Sequence, residues 1–138
     1  MQNEITQAGP LLSPSGSLVQ VGWSRQPLID NNLEQAAFYP LILRPFQRFR
    51  IKRWDYYAVF TPQRFFSATI ADLGYAGNIF VYTVDFECRE LHEEGLVIPF
   101  ARGVNLPRNR DDGISSYSSK DVRLNFGVKD GCRQLKVD

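Results

Sequence analysis

Stretches rich in β-branched and aromatic residues dominate the middle of the chain, and turn-prone residues separate them. These stretches are predicted to be antiparallel strands at residues 48–54, 55–61, 65–73 and 79–86. Turns are expected at residues 62–64 and at residues 74–78, where two glycines tolerate positive φ. Both faces of 65–73 are apolar, which is typical of a strand covered on two sides.

A further hairpin is predicted near the end of the chain. Apolar and polar residues alternate over 122–128, and Asp130 and Gly131 supply a two-residue turn. Counting back from that turn pairs Phe126 with Leu135 and Leu124 with Val137. The chain stops inside the returning strand, so we expect that the natural domain continues or that a partner covers the open edge.

The other segments have weaker patterns. Residues 1–16 are polar and contain Gly and Pro, which predicts an extended arm ahead of a single β domain over 17–138. Residues 17–22 alternate enough for a short strand, and 32–38 is the one stretch with helical spacing. Residues 99–119 are predicted to form a long loop.

Composition narrows the function classes. The 138 residues fit one domain, and 16 basic against 15 acidic side chains leave a charge of +1, which argues against binding to nucleic acid or anionic lipid. The apolar runs are far too short to span a bilayer and the N-terminus lacks signal-peptide features, so no membrane insertion and a cytoplasmic location are expected. Cys88 and Cys132 are interpreted as reduced thiols.

Several motifs in one order resemble the family known as domain of unknown function 2804. They are the segments 22–28 (GWSRQPL), 50–57 (RIKRWDYY), 69–77 (TIADLGYAG), 91–95 (LHEEG) and 106–108 (LPR). The resemblance runs from about Leu12 to the last residue and implies the N-terminal part of a longer family domain. It supplies no catalytic residues, and it suggests a fold analogy with lipocalin-type barrels. The expected fold is therefore an all-β antiparallel meander forming a sandwich or partly open, lipocalin-like barrel, incomplete at its C-terminus.

Two carboxylates form the main candidate site. If residues 62–64 close the first hairpin, Asp55 is expected opposite Asp72 or one residue diagonal to it. A close carboxylate pair can act as general acid and base. The nearby candidates for ligand binding are Arg50, Lys52, Trp54, Tyr56, Tyr57 and Tyr75. The alternative is that both aspartates accept hydrogen bonds from these cations or from turn amides and only stabilise the sheet end.

The basic residues between 44 and 53 allow three interpretations. Interleaved with Phe46, Phe49 and Trp54, they resemble a nucleic-acid strip. Their spacing is also that of an ordinary amphipathic strand with Arg50 and Lys52 on one face. If that face pointed into a barrel, it would hold the carboxylate of an amphiphilic ligand.

Metal, cofactor and nucleophile signals are weak. His92 has glutamate neighbours but no second histidine, so it is interpreted as a loop residue. Asp111 and Asp112 lack the spacing of a calcium loop. No Gly-x-Ser-x-Gly elbow or phosphate-binding glycine pattern is present. No metal and no cofactor are therefore predicted.

The function that this pattern favours is non-catalytic binding of a small apolar or amphiphilic ligand in a β scaffold. Two alternatives stay open. One is an enzyme that uses Asp55 and Asp72 on a hydrophobic substrate, and the other is a purely structural half of a larger β domain. Association through the open C-terminal sheet edge is a further expectation.

Overall fold

The computed structural model describes residues 3–26, 28–109 and 113–138, and its strands form two antiparallel sheets. The first sheet has the order β1-β2-β3-β4, with β1 Arg53–Phe60, β2 Arg64–Asp72, β3 Ala76–Asp85 and β4 Glu90–Pro99. The second has the order β5-β6-β7, with β5 Ser115–Ser118, β6 Arg123–Lys129 and β7 Cys132–Val137. Two 3₁₀ helices precede β1, at Leu33–Gln35 and Leu41–Phe49. The predicted all-β antiparallel meander is confirmed, and both sheets are open within the described residues.

The hydrophobic core lies between the two sheets. It contains Ala68, Ile70, Ile79 and Ile98 from the first sheet and Tyr117, Leu124 and Phe126 from the second. The Tyr57 ring meets the Phe126 ring edge-on, with 5.4 Å between their centroids. Because strand residues alternate between faces, this packing covers one face of the four-stranded sheet and leaves its other face unpaired with the second sheet.

The C-terminal hairpin confirms the register that was predicted for it. Phe126 pairs with Leu135, and Leu124 pairs with Val137. Asp130 and Gly131 have φ values of 53° and 75°. These left-handed conformations suit the two-residue turn that joins strands with right-handed twist.

The prediction of a strand at residues 48–54 is wrong. The second 3₁₀ helix extends to Phe49, and one strand begins at Arg53 and runs to Phe60. Arg50 follows the helix, and its guanidinium lies 5.2 Å from the ring centre of Phe38. Charged and aromatic residues alternate here because arginine side chains stack on nearby rings, and not because the segment is a pleated strand.

Smaller differences concern the flanking segments. Helical structure in 32–38 is limited to Leu33–Gln35, and residues 17–22 contain one isolated bridge, at Leu18, instead of a strand. The segment around His92, predicted as a loop, is strand β4. The predicted loop 99–119 contains strand β5, and its residues 110–112 lie outside the described part.

The N-terminal segment lies against residues 18–32 through backbone contacts. Isolated bridges join Glu4 to Trp23 and Pro10 to Asp30. Leu12 is buried, and its backbone exchanges two hydrogen bonds with the side chain of Asn32, at 2.9 and 2.8 Å. Asn32 therefore positions the segment that leads to the first 3₁₀ helix.

Candidate functional site

Aromatic side chains cover the face of the four-stranded sheet that points away from the core. We call this surface the aromatic face, and its rings belong to Trp54, Tyr56, Phe60, Phe65, Phe80 and Tyr82. Trp54 is 65% exposed and Phe60 is 74% exposed. Exposed aromatic surface of this extent is typical of a binding surface, because isolated exposed rings are common but contiguous ones are not.

Strand pairing forms a hollow on this face. The register places Tyr56 beside Thr69 and Thr69 beside Phe80, so a small side chain lies between two large ones. The next row is similar, with Ala71 between Trp54 and Asn78. The small residues of β2 thus form a floor, and β1 and β3 supply walls.

This hollow, the sheet pocket, has a volume of about 300 Å³. Its lining includes Trp54, Tyr56, Thr69, Ala71, Asn78 and Phe80. Thr69 is only 3% exposed, and its Oγ1 is buried without a hydrogen-bond partner among the described residues. A buried hydroxyl without a partner loses about 1–3 kcal/mol of hydrogen bonding relative to water.

The phenol of Tyr56 stands at the wall of the sheet pocket. A hydrogen bond with Tyr82, together with desolvation and the charge of Tyr82, raises the pKa of Tyr56 above its ordinary value. Tyr56 is therefore neutral around pH 7, and its hydroxyl offers both a donor and an acceptor beside the pocket.

A second cavity of about 400 Å³, the polar cleft, lies beside the start of β1. Its polar lining consists of Asn31, Lys52, Arg53, Asp55, Arg108 and Ser115. Trp54 lines this cleft as well as the sheet pocket. The predicted candidates Lys52, Trp54 and Asp55 are thus brought together here with residues that follow them by more than fifty positions.

The two candidate aspartates have separate partners. Arg53, not Asp55, pairs with Asp72, and their side chains form a 3.2 Å ion pair. Asp72 also accepts a hydrogen bond from the amide of Gly74 at 2.8 Å. Asp55 pairs with Ile70, and its carboxylate accepts from Ser115. This arrangement favours the interpretation that both carboxylates stabilise the sheet end.

The remaining candidates lie in different surroundings. Lys52 Nζ donates to the carbonyl of Phe49 at 2.9 Å and to that of Leu73, and it lies 4.1 Å from the ring centre of Tyr75. Tyr57 packs in the core and donates to Asp55 at 3.4 Å. Arg50, which stacks on Phe38, is absent from the lining of both cavities described here, as are Tyr57 and Tyr75. Trp54 and Tyr56 are the predicted ligand-binding residues that reach the sheet pocket.

Sequence reasoning missed several lining residues. Phe80 was detectable, since Phe80 and Tyr82 are two positions apart in a predicted strand and so share a face. Thr69 and Ser115 gave no signal, because hydroxyl side chains are common at exposed strand positions. Their burial depends on which neighbours the register provides.

Other candidate chemistry finds no support in the described residues. His92 is exposed and lies 3.5 Å from Glu94, and no group of three potential metal ligands occurs in the described ranges. Asp111 and Asp112 lie outside those ranges. Cys88 and Cys132 are free and exposed. Of the helices described, none is long and apolar enough to cross a bilayer.

Comparison with known proteins identifies the family. The family model described as Domain of unknown function (DUF2804) matches residues 2–138. The chain therefore belongs to that family, as the motifs indicated. No curated protein and no solved structure matches the chain.

Proposed function

We propose that this DUF2804-family protein binds a small, uncharged amphiphilic molecule in the sheet pocket. The apolar part of the ligand packs against Trp54, Tyr56 and Phe80, and its polar group hydrogen-bonds to Thr69 Oγ1. The observation that supports this proposal is the buried, unpartnered hydroxyl of Thr69 at the floor of an aromatic-lined hollow. Ligand pockets are commonly apolar cavities with a few placed polar groups.

The charge of the site favours a neutral polar group. Its polar lining is an alcohol, a phenol and the amide of Asn78, with no basic side chain in the set. Arg50, the expected partner of a ligand carboxylate, instead stacks on Phe38. An ionised carboxylate placed on Thr69 would be desolvated without a compensating cation, which is unfavourable. A hydroxyl or amide avoids that cost.

The size of the pocket sets the ligand class. A volume of about 300 Å³ is at the lower end of ligand pockets, which span roughly 300–1,000 Å³. A short-chain or single-ring alcohol fits this description. We use 1-octanol as the probe and octanoate as its charged counterpart.

Binding is measured by the emission of Trp54 in a Trp23→Phe background, because the chain has two tryptophans. We expect saturable binding of 1-octanol and weaker binding of octanoate. Phe80→Ala should weaken 1-octanol binding by about tenfold or more, since it removes a wall of the pocket. Thr69→Val keeps the shape of the side chain and removes the hydroxyl, so it should reduce the preference for 1-octanol over octanoate.

Thr83→Val is the matched control, because Thr83 lies on the opposite side of the sheet from the pocket. It is two positions from Val81 in β3, and Val81 packs against the core. This variant should bind 1-octanol as the wild type does. The proposal is wrong if Trp54 emission does not respond to 1-octanol in folded protein. It is also wrong if the Thr69→Val and Thr83→Val variants have the same ligand preference.

A further inference from the structure

The polar cleft is a second cavity whose chemistry differs from that of the sheet pocket. Its floor contains Ser115, which is 3% exposed, and Asp55 from the facing sheet. Residues before the first strand and after the fourth complete the wall, including Asn31 and Arg108. The cleft therefore forms only when four distant segments of the chain pack together.

The cations that line the cleft already have partners. Arg108 forms two 2.7 Å hydrogen bonds with Asp30 and lies 3.2 Å from Glu34. Arg53 is paired with Asp72, as described above, and the ammonium of Lys52 donates to two backbone carbonyls. An anionic ligand such as phosphate would have to compete with these contacts, so the cleft does not favour an anion.

Two acceptor groups in the cleft can still accept hydrogen bonds. Asn31 Oδ1 is buried without a hydrogen-bond partner among the described residues. Asp55 accepts from Ser115 at 2.6 Å and from Tyr57 at 3.4 Å, and both bonds reach Oδ2. A carboxylate has about four acceptor positions, so Asp55 can accept further bonds. A complementary ligand must therefore bring hydrogen-bond donors.

The donors of such a ligand are uncharged. The ammonium of Lys52, which bonds to backbone carbonyls rather than to a carboxylate, lines the same cavity as Asp55 and would repel a ligand cation. Hydroxyl groups donate to Asn31 and Asp55 without that repulsion, and they can also accept from an arginine or lysine N–H.

The remaining wall of the cleft is apolar. Leu28, Leu33, Leu106 and Pro107 belong to its lining. An apolar wall beside carboxylate and amide acceptors suits a molecule that has C–H groups on one face and hydroxyl groups around its edge.

We propose that the polar cleft binds a neutral polyhydroxylated ring, the chemistry of an uncharged sugar. Hydroxyl groups of the ring donate to Asn31 Oδ1 and Asp55, and its C–H face packs against Leu33 and Leu106. The proposal concerns a cavity separate from the sheet pocket, and only Trp54 is common to the two descriptions.

The test titrates the full chain with the methyl glycosides of glucose, galactose and mannose, and with maltose, by isothermal calorimetry. Inorganic phosphate and ethanolamine serve as the anionic and cationic probes. We expect saturable binding of at least one sugar and weaker binding of both charged probes. Asn31→Leu should weaken sugar binding about tenfold, because it leaves a ligand hydroxyl without its acceptor.

Asn78→Leu is the matched control, since it makes the same change in the sheet pocket, and it should leave sugar binding unchanged. Asp55→Asn provides a second variant with little change of shape, and it too should weaken sugar binding. Thr69→Val should alter 1-octanol binding alone, so failure of one proposal is distinguishable from failure of the other. The sugar proposal is overturned if folded protein binds none of these sugars, if phosphate binds more tightly, or if Asn31→Leu and Asp55→Asn both match the wild type.

Discussion

Ser115 Oγ donates a 2.6 Å hydrogen bond to Asp55 Oδ2, and this bond joins the two sheets across sixty positions of sequence. Asp55 belongs to β1, and Ser115 is the first residue of β5. Because Ser115 is nearly fully buried, water competes little for the bond. The same contact fixes the floor of the polar cleft.

The bond between Ser115 and Asp55 should contribute measurably to stability. In a double-mutant cycle of Ser115→Ala and Asp55→Ala, we expect a coupling free energy of about 1.5–3 kcal/mol, the range for a hydrogen bond to a charged group. Chemical denaturation of the four proteins measures it. Ser116→Ala combined with Asp55→Ala is the control and should be additive, and additivity in the Ser115 cycle would contradict a structural role for the bond.

Two glycines with similar backbone conformations should respond differently to alanine. Gly74 has φ +83°, and a Cβ there would lie 2.2 Å from the carbonyl oxygen of Arg48. Gly131 has φ +75° and open space around it. Gly131→Ala should cost about 1–2 kcal/mol from its left-handed conformation alone.

Gly74→Ala should cost clearly more than Gly131→Ala, since the backbone at Arg48, at the end of the second 3₁₀ helix, must also move. Urea denaturation of the two variants and the wild type provides the comparison. Equal losses of unfolding free energy would show that the turn between β2 and β3 does not approach Arg48 as closely as described.

Stability should depend on pH through Asp85. Hydrogen bonds from the amides of Cys88 and Glu87, and the nearby Arg64, hold the pKa of Asp85 below its ordinary value. For a carboxyl with a lowered folded-state pKa, the stabilisation is complete above the unfolded pKa of about 4 and disappears as pH falls through the folded pKa.

The advantage of the wild type over Asp85→Asn should therefore be constant near pH 6 and shrink below about pH 4. Thermal melts of both proteins, at pH values from about 6 to below 4, measure the difference in melting temperature. A gap in melting temperature that stays the same down to the acid limit would contradict the assignment.

Local pattern was sufficient for the strands whose register depends on a short turn. The hairpin after Val122 is the clearest example. Its two-residue turn allows only one register, and its alternating apolar and polar residues show which face is buried. The strands around Phe65 and Ile79 were predicted within a few residues for the same reason.

The sequence pattern failed for two other segments, the edge strand β4 and residues 48–50. Strand β4 is exposed and largely charged over its first half, and it pairs with β3 through backbone groups that every residue has. Residues 48–50 alternate as a strand does, yet Arg48 and Arg50 lie over the rings of Phe49 and Phe38. The hydrophobic pattern alone therefore does not show that β4 is a strand and that residues 48–50 are not.

The sequence by itself determined the all-β class, the C-terminal register and the aromatic character of the central strands, because these depend on interactions between near neighbours. Only the tertiary structure decided which residues share a cavity. The partner of Asp55 is Ser115 rather than Asp72, and the floor beside Tyr56 is Thr69. Both facts follow from how strands align and sheets pack, and that alignment is set by contacts across the whole chain.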